Sequence, residues 1–388
     1  MKESARVTDR KSLVDLLNAA CRRSYTKLRQ DLTLEFEQNL VKTYLIEAHP
    51  NGEAGEYERY ISFLVDQLTP LKVRVQETND PSLVVLIGDS VQFYVDTYSP
   101  RYWMFHTVSR SDSSDRLIRD IVRSAPQLDF PWLPIQSLEN LARKGAFVGF
   151  GTDFDSVPTL NLTGRRNPTI QGESMGFRLR RASGTVDEDY RRLRQPAMYG
   201  DTLRLSTIRV QYGEKGVSED YSVDEITYWG KLTARGPSFD CHNALTLLMM
   251  EDYRNQIDTI EKACLMRFEE TDTGTRIHGY PISIQYRKQP NLHVFVKVLF
   301  SGGEPFKLWG VPERVTDKLY RIQAVDLHGG STVRFEVADS FLRIYLSRNA
   351  CANTVARLFS NLQQHVDSRS LLVLGSGDKA FERASQVA

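Results

Sequence analysis

KLYRIQAVDLHGGSTVRFEVADSFLRIYL, residues 318–346, is the stretch that decides the fold of the C-terminal half. Apolar and polar residues alternate on both sides of Gly329-Gly330, a pair typical of turns. Because residues i and i+2 of a strand point to the same face, Tyr320, Ile322 and Ala324 share one face. The pattern therefore predicts strands joined by a turn, with one face against a core.

Further strand patterns and two helices flank this stretch. A helical pattern covers 239–265, a second covers 351–366, and a strand pattern at 224–236 precedes both, after an earlier strand pattern at 201–214. Between the helices we predict six strand segments, at 266–271, 276–287, 292–300, 305–310, 318–327 and 332–346. The order strand, helix, six strands, helix predicts a curved antiparallel sheet packed against helices.

The chain of 388 residues is longer than one ordinary core supports. Its first half mixes helical and strand patterns, so we predict an α+β protein with two domains and mixed or antiparallel sheets. The predicted division is an N-terminal α+β domain over 1–150, an Arg-rich connecting region over 151–200, an antiparallel-sheet α+β domain over 201–370 and a tail over 371–388.

Composition limits the classes of protein. The hydrophobic fraction of 41% and the charged fraction of 26% are those of globular proteins. No apolar run reaches the length of a membrane span, and the N-terminus lacks the apolar core of a secretory signal. The cysteines are far apart and form no C-x-x-C pair, which predicts a reduced, cytoplasmic protein without a zinc site. We expect no cofactor.

Residues 164–196, the Arg-rich stretch, are the electrostatic anomaly of the chain. They contain eight arginines, no lysine and four carboxylates, whereas the whole chain has a net charge of +1. Arginine binds phosphate and carboxylate groups through two parallel hydrogen bonds, which lysine cannot do. Thr185 and Glu188 form a capping-box pattern, so a short helix is expected up to Pro196.

The first functional hypothesis is therefore a non-enzymatic accessory or adaptor protein that binds nucleic acid or an acidic protein partner as part of a complex. No catalytic or metal-binding residue is assigned. The arginines expected to contact phosphates, and the tyrosine expected to stack on a base, are Arg165, Arg166, Arg178, Arg180, Arg191, Arg192, Arg194 and Tyr190. Local ion pairs with the acidic residues 187–189 are the alternative use of these arginines.

The second hypothesis is a small-ligand-binding or hydrolytic protein with a cavity in the C-terminal sheet. Asp326 and His328 share a strand face at the rim of this sheet, where they could hold a ligand or a metal ion. The alternative is that both residues flank the Gly329-Gly330 turn and face water.

The third hypothesis is a structural subunit whose interface is rich in aromatic residues. The stretches PRYWMF (100–105), FPWLP (130–134) and FKLWG (306–310) are the places to look for such an interface, or else they belong to the core.

Two shorter patterns are compatible with a catalytic residue, but a structural role explains each of them better. LIGDSVQF (86–93) contains Gly-Asp-Ser after an apolar strand, as nucleophilic serines do, but the next residues alternate like a strand and predict a hairpin turn at Gly88-Asp89. Cys241 lies near a helix start, which favours the thiolate. His242 is a poor base for it, because neighbours on a helix point about 100° apart.

Overall fold

The structure is a computed structural model that describes residues 7–30, 39–49, 65, 68–155, 174–180, 186–195, 203–216, 219–272, 274–287 and 289–375. The chain divides into two compact units. Unit 1 comprises 1–131, 144–147 and 209–250, and unit 2 comprises 132–143, 148–208 and 251–388.

The described residues form seven α-helices and nineteen strands. The helices are α1 Arg10–Gln30, α2 Ser111–Ser124, α3 Ile135–Ala142, α4 Val186–Leu193, α5 Phe239–Cys264, α6 Leu292–Leu299 and α7 Asn353–His365. The strands before α5 are β1 Lys42–Ala48, β2 Arg74–Glu77, β3 Leu83–Ile87, β4 Gln92–Asp96, β5 Tyr102–Thr107, β6 Leu128–Asp129, β7 Ala146–Asp155, β8 Ser174–Arg180, β9 Arg204–Glu214, β10 Asp220–Thr227 and β11 Lys231–Ala234. The strands after α5 are β12 Arg267–Thr271, β13 Gly274–His278, β14 Ile282–Gln285, β15 Leu308–Thr316, β16 Leu319–Asp326, β17 Thr332–Ala338, β18 Phe341–Leu346 and β19 Leu371–Leu374. Helices and antiparallel strands confirm the α+β class.

Unit 1 is built on an antiparallel sheet in the order β2-β3-β4-β5-β1-β11-β10, with β6 also paired to β1. All seven residues of β1 are buried, as expected for a central strand covered on both faces. β1 pairs with β5 through Thr43 and His106, and with β11 through Lys42 and Thr233. The core of unit 1 therefore lies on both sides of β1.

Helix α1 packs on this sheet through a stripe of residues at helical spacing. Leu13, Leu17 and Cys21 are each at most 3% exposed and belong to one apolar cluster with strand residues of unit 1. The helix begins with a reciprocal cap, because Ser12 N–H donates to the Asp9 carboxylate and Asp9 N–H donates to the Ser12 hydroxyl. Asp9 is thus a helix cap.

The Gly-Asp-Ser motif lies in a β-hairpin, as its flanking alternation predicts. β3 and β4 are antiparallel and in register at Ile87 and Gln92, and Gly88 N–H donates to the Val91 carbonyl at 2.8 Å. The turn is thus centred on Asp89-Ser90, one residue later than expected. Ser90 therefore lacks the strand-to-helix turn of a nucleophilic serine.

Unit 2 contains a six-stranded antiparallel sheet in the order β15-β16-β17-β18-β14-β19 and a separate two-stranded pair, β12–β13. Strands β7 and β8 also pair antiparallel with each other. Strands β16, β17 and β18 alternate buried and more exposed residues. On the buried face the Phe335 ring packs at 4.9 Å from the Phe300 ring, which follows α6. The opposite face of this sheet is the outer face.

The segment 292–300, predicted to be a strand, is helix α6 instead. Asn291 caps the helix by accepting a hydrogen bond from Val294 N–H, and Phe295, Val296 and Leu299 are buried at helical spacing. The β-branched residues of this segment favour a strand, so tertiary packing and the cap override local propensity here.

The apolar run at 371–374, which the predicted domain division assigns to the tail, is strand β19. It pairs antiparallel with β14 from Ile282↔Leu374 to Gln285↔Leu371. Leu372 and Leu374 are buried, so burial of alternate side chains holds this edge strand in place.

Among the described helices, none is both long enough and apolar enough to cross a membrane.

Candidate anion-binding site

The structure separates the arginines of the Arg-rich stretch. Arg165 and Arg166 lie outside the described residues. Arg178 and Arg180 are exposed on β8, where they pair in register with Gly151 and Gly149. They share one side of the strand, as the alternation predicts.

Helix α4 carries the next two arginines on its surface. Arg191 forms an ion pair with Asp187 at 2.7 Å, and Arg192 forms one with Glu188 at 2.5 Å, both one helical turn apart. The side chains of Arg191 and Asp187 are 74% and 54% exposed. Because ion pairs this exposed contribute about 0–1 kcal/mol, either arginine can exchange its carboxylate for a ligand at little cost.

Tyr190 does not fit the stacking role predicted for it. Its ring is 5% exposed and packs edge-on against Phe150 at 5.3 Å, and its hydroxyl donates to Glu139 at 2.9 Å. It lies on the apolar side of a short amphipathic helix, so the ring is part of the core of unit 2. It is a structural residue.

Arg194 is held by the same carboxylate. Its guanidinium forms an ion pair with Glu139, which also accepts from Tyr190. Burial, followed by the nearby charge of Arg369, lowers the pKa of the Arg194 guanidinium. Two arginines are thus packed close together at a site that is only partly open to water, which is favourable when an anion joins them.

A surface cleft of about 450 Å³ lies beside Arg194. It is lined by Gln136, Arg191, Arg194, Gln195, Arg287, Arg369 and Leu371. The volume is within the ~300–1,000 Å³ range of ligand sites. Four arginines from three separate segments of the sequence therefore converge on one cleft.

Asp367 positions two of these arginines through their backbone. One of its carboxylate oxygens accepts from Arg287 N–H at 2.7 Å, and the other accepts from Arg369 N–H at 2.9 Å. Asp367 is 2% exposed and lies in the turn between α7 and β19. The carboxylate thus points into the protein and fixes where both side chains start.

The electrostatics of the cleft favour an anion. Among the described residues that line it, none is acidic, and the two glutamines supply amide donors. The Arg287 side chain is exposed and forms no ion pair with another described residue. Arg369 Nη2 donates to the Arg194 backbone carbonyl at 3.4 Å, which holds the Arg369 side chain against the end of α4. Such a set can bind a phosphate or carboxylate through paired hydrogen bonds.

Asp326 and His328 do not line a cavity mouth, and they do not face water. Both are at most 1% exposed. The Asp326 carboxylate forms an ion pair with Arg357, which is itself buried, and accepts from the Thr354 hydroxyl. Arg357 also donates to the Phe306 carbonyl at 2.9 Å. Because Asp326 is fully engaged inside the protein, its role is structural.

The turn around Asp326 is present as predicted. Gly330 N–H donates to the Asp326 carbonyl at 2.7 Å, and Asp326 N–H donates to the Ser331 carbonyl at 2.9 Å. Gly330 adopts φ +68°, the left-handed region that glycine tolerates best.

Unit 1 contains a buried polar chain that the sequence analysis missed. The Thr43 hydroxyl lies 2.8 Å from His106 Nδ1 and 2.7 Å from His242 Nε2, and His242 Nδ1 bonds to Asp224. All four side chains are at most 2% exposed. His242 is therefore engaged with Asp224 and Thr43, and the thiol of Cys241 instead bonds to Asp220. This polar network is sealed from solvent, so a substrate could not reach these side chains.

Sequence reasoning reached Arg191 and Arg194 but missed Arg287, Arg369 and Asp367. The Arg-rich stretch stood out by composition, whereas isolated arginines at 287 and 369 have no local signal. Only the pairing of β14 with β19 brings them together, since each arginine adjoins one of these strands.

The fold and the cleft define an α+β protein with an arginine-lined surface cleft. The chain matches the model of the family described as MJECL33-like protein over residues 1–381, and it belongs to that family. It is similar to a protein of Methanocaldococcus jannaschii described as uncharacterized protein MJECL33, with 29% identity over 397 aligned residues that cover 94% of each chain.

Proposed function

We propose that this protein binds a phosphate-bearing ligand, with nucleic acid as the expected one, in the cleft lined by Arg191, Arg194, Arg287 and Arg369. The observation that supports this is the convergence of four guanidinium groups on a cleft without an acidic lining residue among those described. Arginine forks match the tetrahedral oxygens of phosphate, and the partial burial of Arg194 strengthens such contacts.

The site is modest in charge. Glu139 and Asp187 pair with Arg194 and Arg191, so the cleft holds less free positive charge than its four arginines suggest. This favours a ligand that competes with the weak surface pair of Arg191 and then adds contacts elsewhere. A polyanion with several phosphates meets that condition better than a single free anion does.

The test is binding of fluorescein-labelled dT10 by the double variant Arg287→Ala/Arg369→Ala. We expect at least a tenfold loss of affinity by fluorescence anisotropy, because two charge-assisted hydrogen-bond donors are removed. The matched control is Arg110→Ala/Arg123→Ala, which removes two exposed arginines at the ends of α2 in unit 1. Equal affinities for the wild type and the cleft variant would refute the proposal.

The setting of this activity is also a proposal. We propose a cytoplasmic protein that acts as a subunit of a complex. Cys21, Cys264 and Cys351 are buried thiols, a state that a reducing compartment maintains. Burial raises the pKa of Cys264 to about 11, so this thiol stays protonated and unreactive.

A further inference from the structure

The outer face of the unit 2 sheet is open to solvent. Directly paired residues of antiparallel strands have their side chains on the same face. The register therefore places Val311, Gln323, Arg334 and Tyr345 in one row that crosses β15, β16, β17 and β18. Each of these residues is exposed or half-buried, whereas the next residue of β16, β17 and β18 is buried.

A second row across the same face carries alternating charge. Glu313, Arg321, Glu336 and Arg343 are paired in that order. The Glu336 carboxylate lies 3.5 Å from Arg321 and 3.3 Å from Arg343, so its charge is compensated within the row. The carboxylate of Glu336 therefore does not repel an anion that binds to this row.

Two further arginines leave the face positive. Arg334 and Arg348 are exposed and form no ion pair with another residue in the part of the chain that the structure describes. Both line a groove of about 930 Å³ together with Glu313, Arg321 and Glu336. Three arginines thus face two carboxylates in the groove, and Arg343 lies beside them.

Exposed aromatic rings border this groove. Phe268, on the β12–β13 hairpin, is 71% exposed and lines it, as does the half-buried Tyr345. Trp309 is 55% exposed at the start of β15, on the side of that strand that Val311 also occupies. Exposed aromatic rings interleaved with arginines are the surface on which nucleic acid bases stack.

The outer face is continuous with the arginine cleft. Leu371 of β19, which lines the cleft, pairs with Gln285, and Gln285 pairs with Phe341. Phe341 carries the Arg343 guanidinium over its ring at 5.2 Å. Because strands are about 4.8 Å apart, the six strands span about 24 Å from the cleft to β15. A few extended nucleotides fit this width.

We propose that the outer face of the unit 2 sheet binds single-stranded nucleic acid, with bases stacked on Phe268, Tyr345 and Trp309 and phosphates on Arg334 and Arg348. This inference rests on the proposed function, because the arginine cleft holds one end of the strand. The occupant is single-stranded because a duplex hides the base faces that an aromatic surface contacts.

The edge of the sheet disfavours the competing occupant, a peptide strand. β15 is the edge strand next to the groove, and Pro312 at its middle has no N–H to donate to an added strand. Glu313 and Arg314 next to it are exposed charges, which also discourage strand addition. A ligand is therefore expected to bind on the outer face of the sheet and not at its edge, and on that face the arginines complement phosphate groups.

The test compares a short and a long strand on two variants. The probes are 5′-phosphorylated dT2, dT10 and rU10, each fluorescein-labelled and measured by anisotropy. We expect dT10 to bind at least tenfold more tightly than dT2, because only dT10 reaches the face. Trp309→Ala/Arg334→Ala should weaken dT10 at least tenfold and leave dT2 unchanged, whereas Arg287→Ala/Arg369→Ala should weaken both. Comparing rU10 with dT10 decides whether RNA or DNA is preferred.

The matched control is Tyr98→Ala/Arg110→Ala, which removes one exposed aromatic residue and one exposed arginine from unit 1 and should leave all probes unaffected. If the cleft variant weakens dT2 and dT10 while the face variant changes neither, the inference is wrong and the proposed function stands. If the cleft variant changes neither probe, the proposed function itself is wrong. A self-associated protein that becomes monomeric on Trp309→Ala, with unchanged dT10 affinity, would assign the face to a second copy and overturn the inference.

Discussion

The contribution of His106 to the stability of unit 1 depends on the protonation state of its imidazole. Its Nδ1–H can donate to Thr43, the Thr43 hydroxyl can then donate to His242, and His242 can donate to Asp224. This order satisfies the hydrogen-bond donors of the polar network with the His106 imidazole neutral. Burial, with smaller contributions from the charges of His242 and Arg10, lowers the pKa of His106 to about 3.

The first residue-scale prediction is acid sensitivity. The pKa of His106 is about 3 in the folded protein and about 6.5 in the unfolded chain, so the unfolded state binds a proton first as pH falls. Folding stability from this group is complete above pH 6.5 and is lost progressively between pH 6.5 and 3. At pH 5 the loss is about 2 kcal/mol relative to pH 7.

Urea unfolding of the wild type and of His106→Gln at pH 7, 6 and 5 measures this loss of folding stability. We expect the free energy of unfolding of the wild type to fall more steeply with acid than that of the variant, which lacks the titrating ring. Parallel pH dependences in the two proteins would show that His106 does not cause the loss.

At the scale of elements, helix α6 was wrongly predicted to be a strand. Its sequence, LHVFVKVL, reads as a strand because valine and phenylalanine favour strands. Asn291 and the tertiary burial of Phe295 and Leu299 select a helix instead. The cap formed by the Asn291 side chain therefore contributes to the formation of a helix in place of a strand.

The element-scale prediction follows from that cap. Asn291→Ala removes the acceptor for Val294 N–H and should lower the free energy of unfolding of unit 2 by about 1 kcal/mol. Asn291→Asp keeps an acceptor at the same place and should cost only a few tenths of that. Hydrogen exchange of the α6 amides, followed by mass spectrometry, locates the effect. Equal exchange in the two variants would show that the side chain does not cap α6.

Strands β16, β17 and β18 of the C-terminal sheet lie in segments that could be predicted, because each has its own alternating pattern of apolar and polar residues. Alternation around Tyr320 and Ile322 needs no knowledge of distant residues, and β16 lies where it predicts a strand. The single segment predicted at 332–346 is instead the two strands β17 and β18. β19 has only four residues, too few for alternation to show, and its partner β14 lies some 90 positions earlier in the sequence. Long-range pairing therefore decides the elements that local patterns miss.

The same reason limits the prediction of the site. The Arg-rich stretch was visible in the composition, and it supplies Arg191 and Arg194 to the cleft. Arg287 and Arg369 enter the cleft through strand pairing and the Asp367 carboxylate. A short window of sequence contains none of that geometry.

At the scale of the whole molecule, the balance of charge decides how binding responds to salt. The net charge is +1, so the protein as a whole provides almost no long-range attraction for a polyanion. Binding of nucleic acid must then come from local arginine clusters, and the number of phosphates they contact sets the number of counterions released.

The last prediction is therefore a salt dependence. With single strands each phosphate contact contributes about −0.7 to the slope of log K against log salt, so the four cleft arginines together contribute about −3 to the slope. Arg287→Ala/Arg369→Ala should make the slope shallower by about 1.4, since two contacts are lost. Arg110→Ala/Arg123→Ala lowers the net charge by the same two units and should leave the slope unchanged. Titrations of labelled dT10 from roughly 50 to 300 mM salt measure both slopes. Equal shallowing by the two variants would mean that total charge, and not the cleft, drives binding.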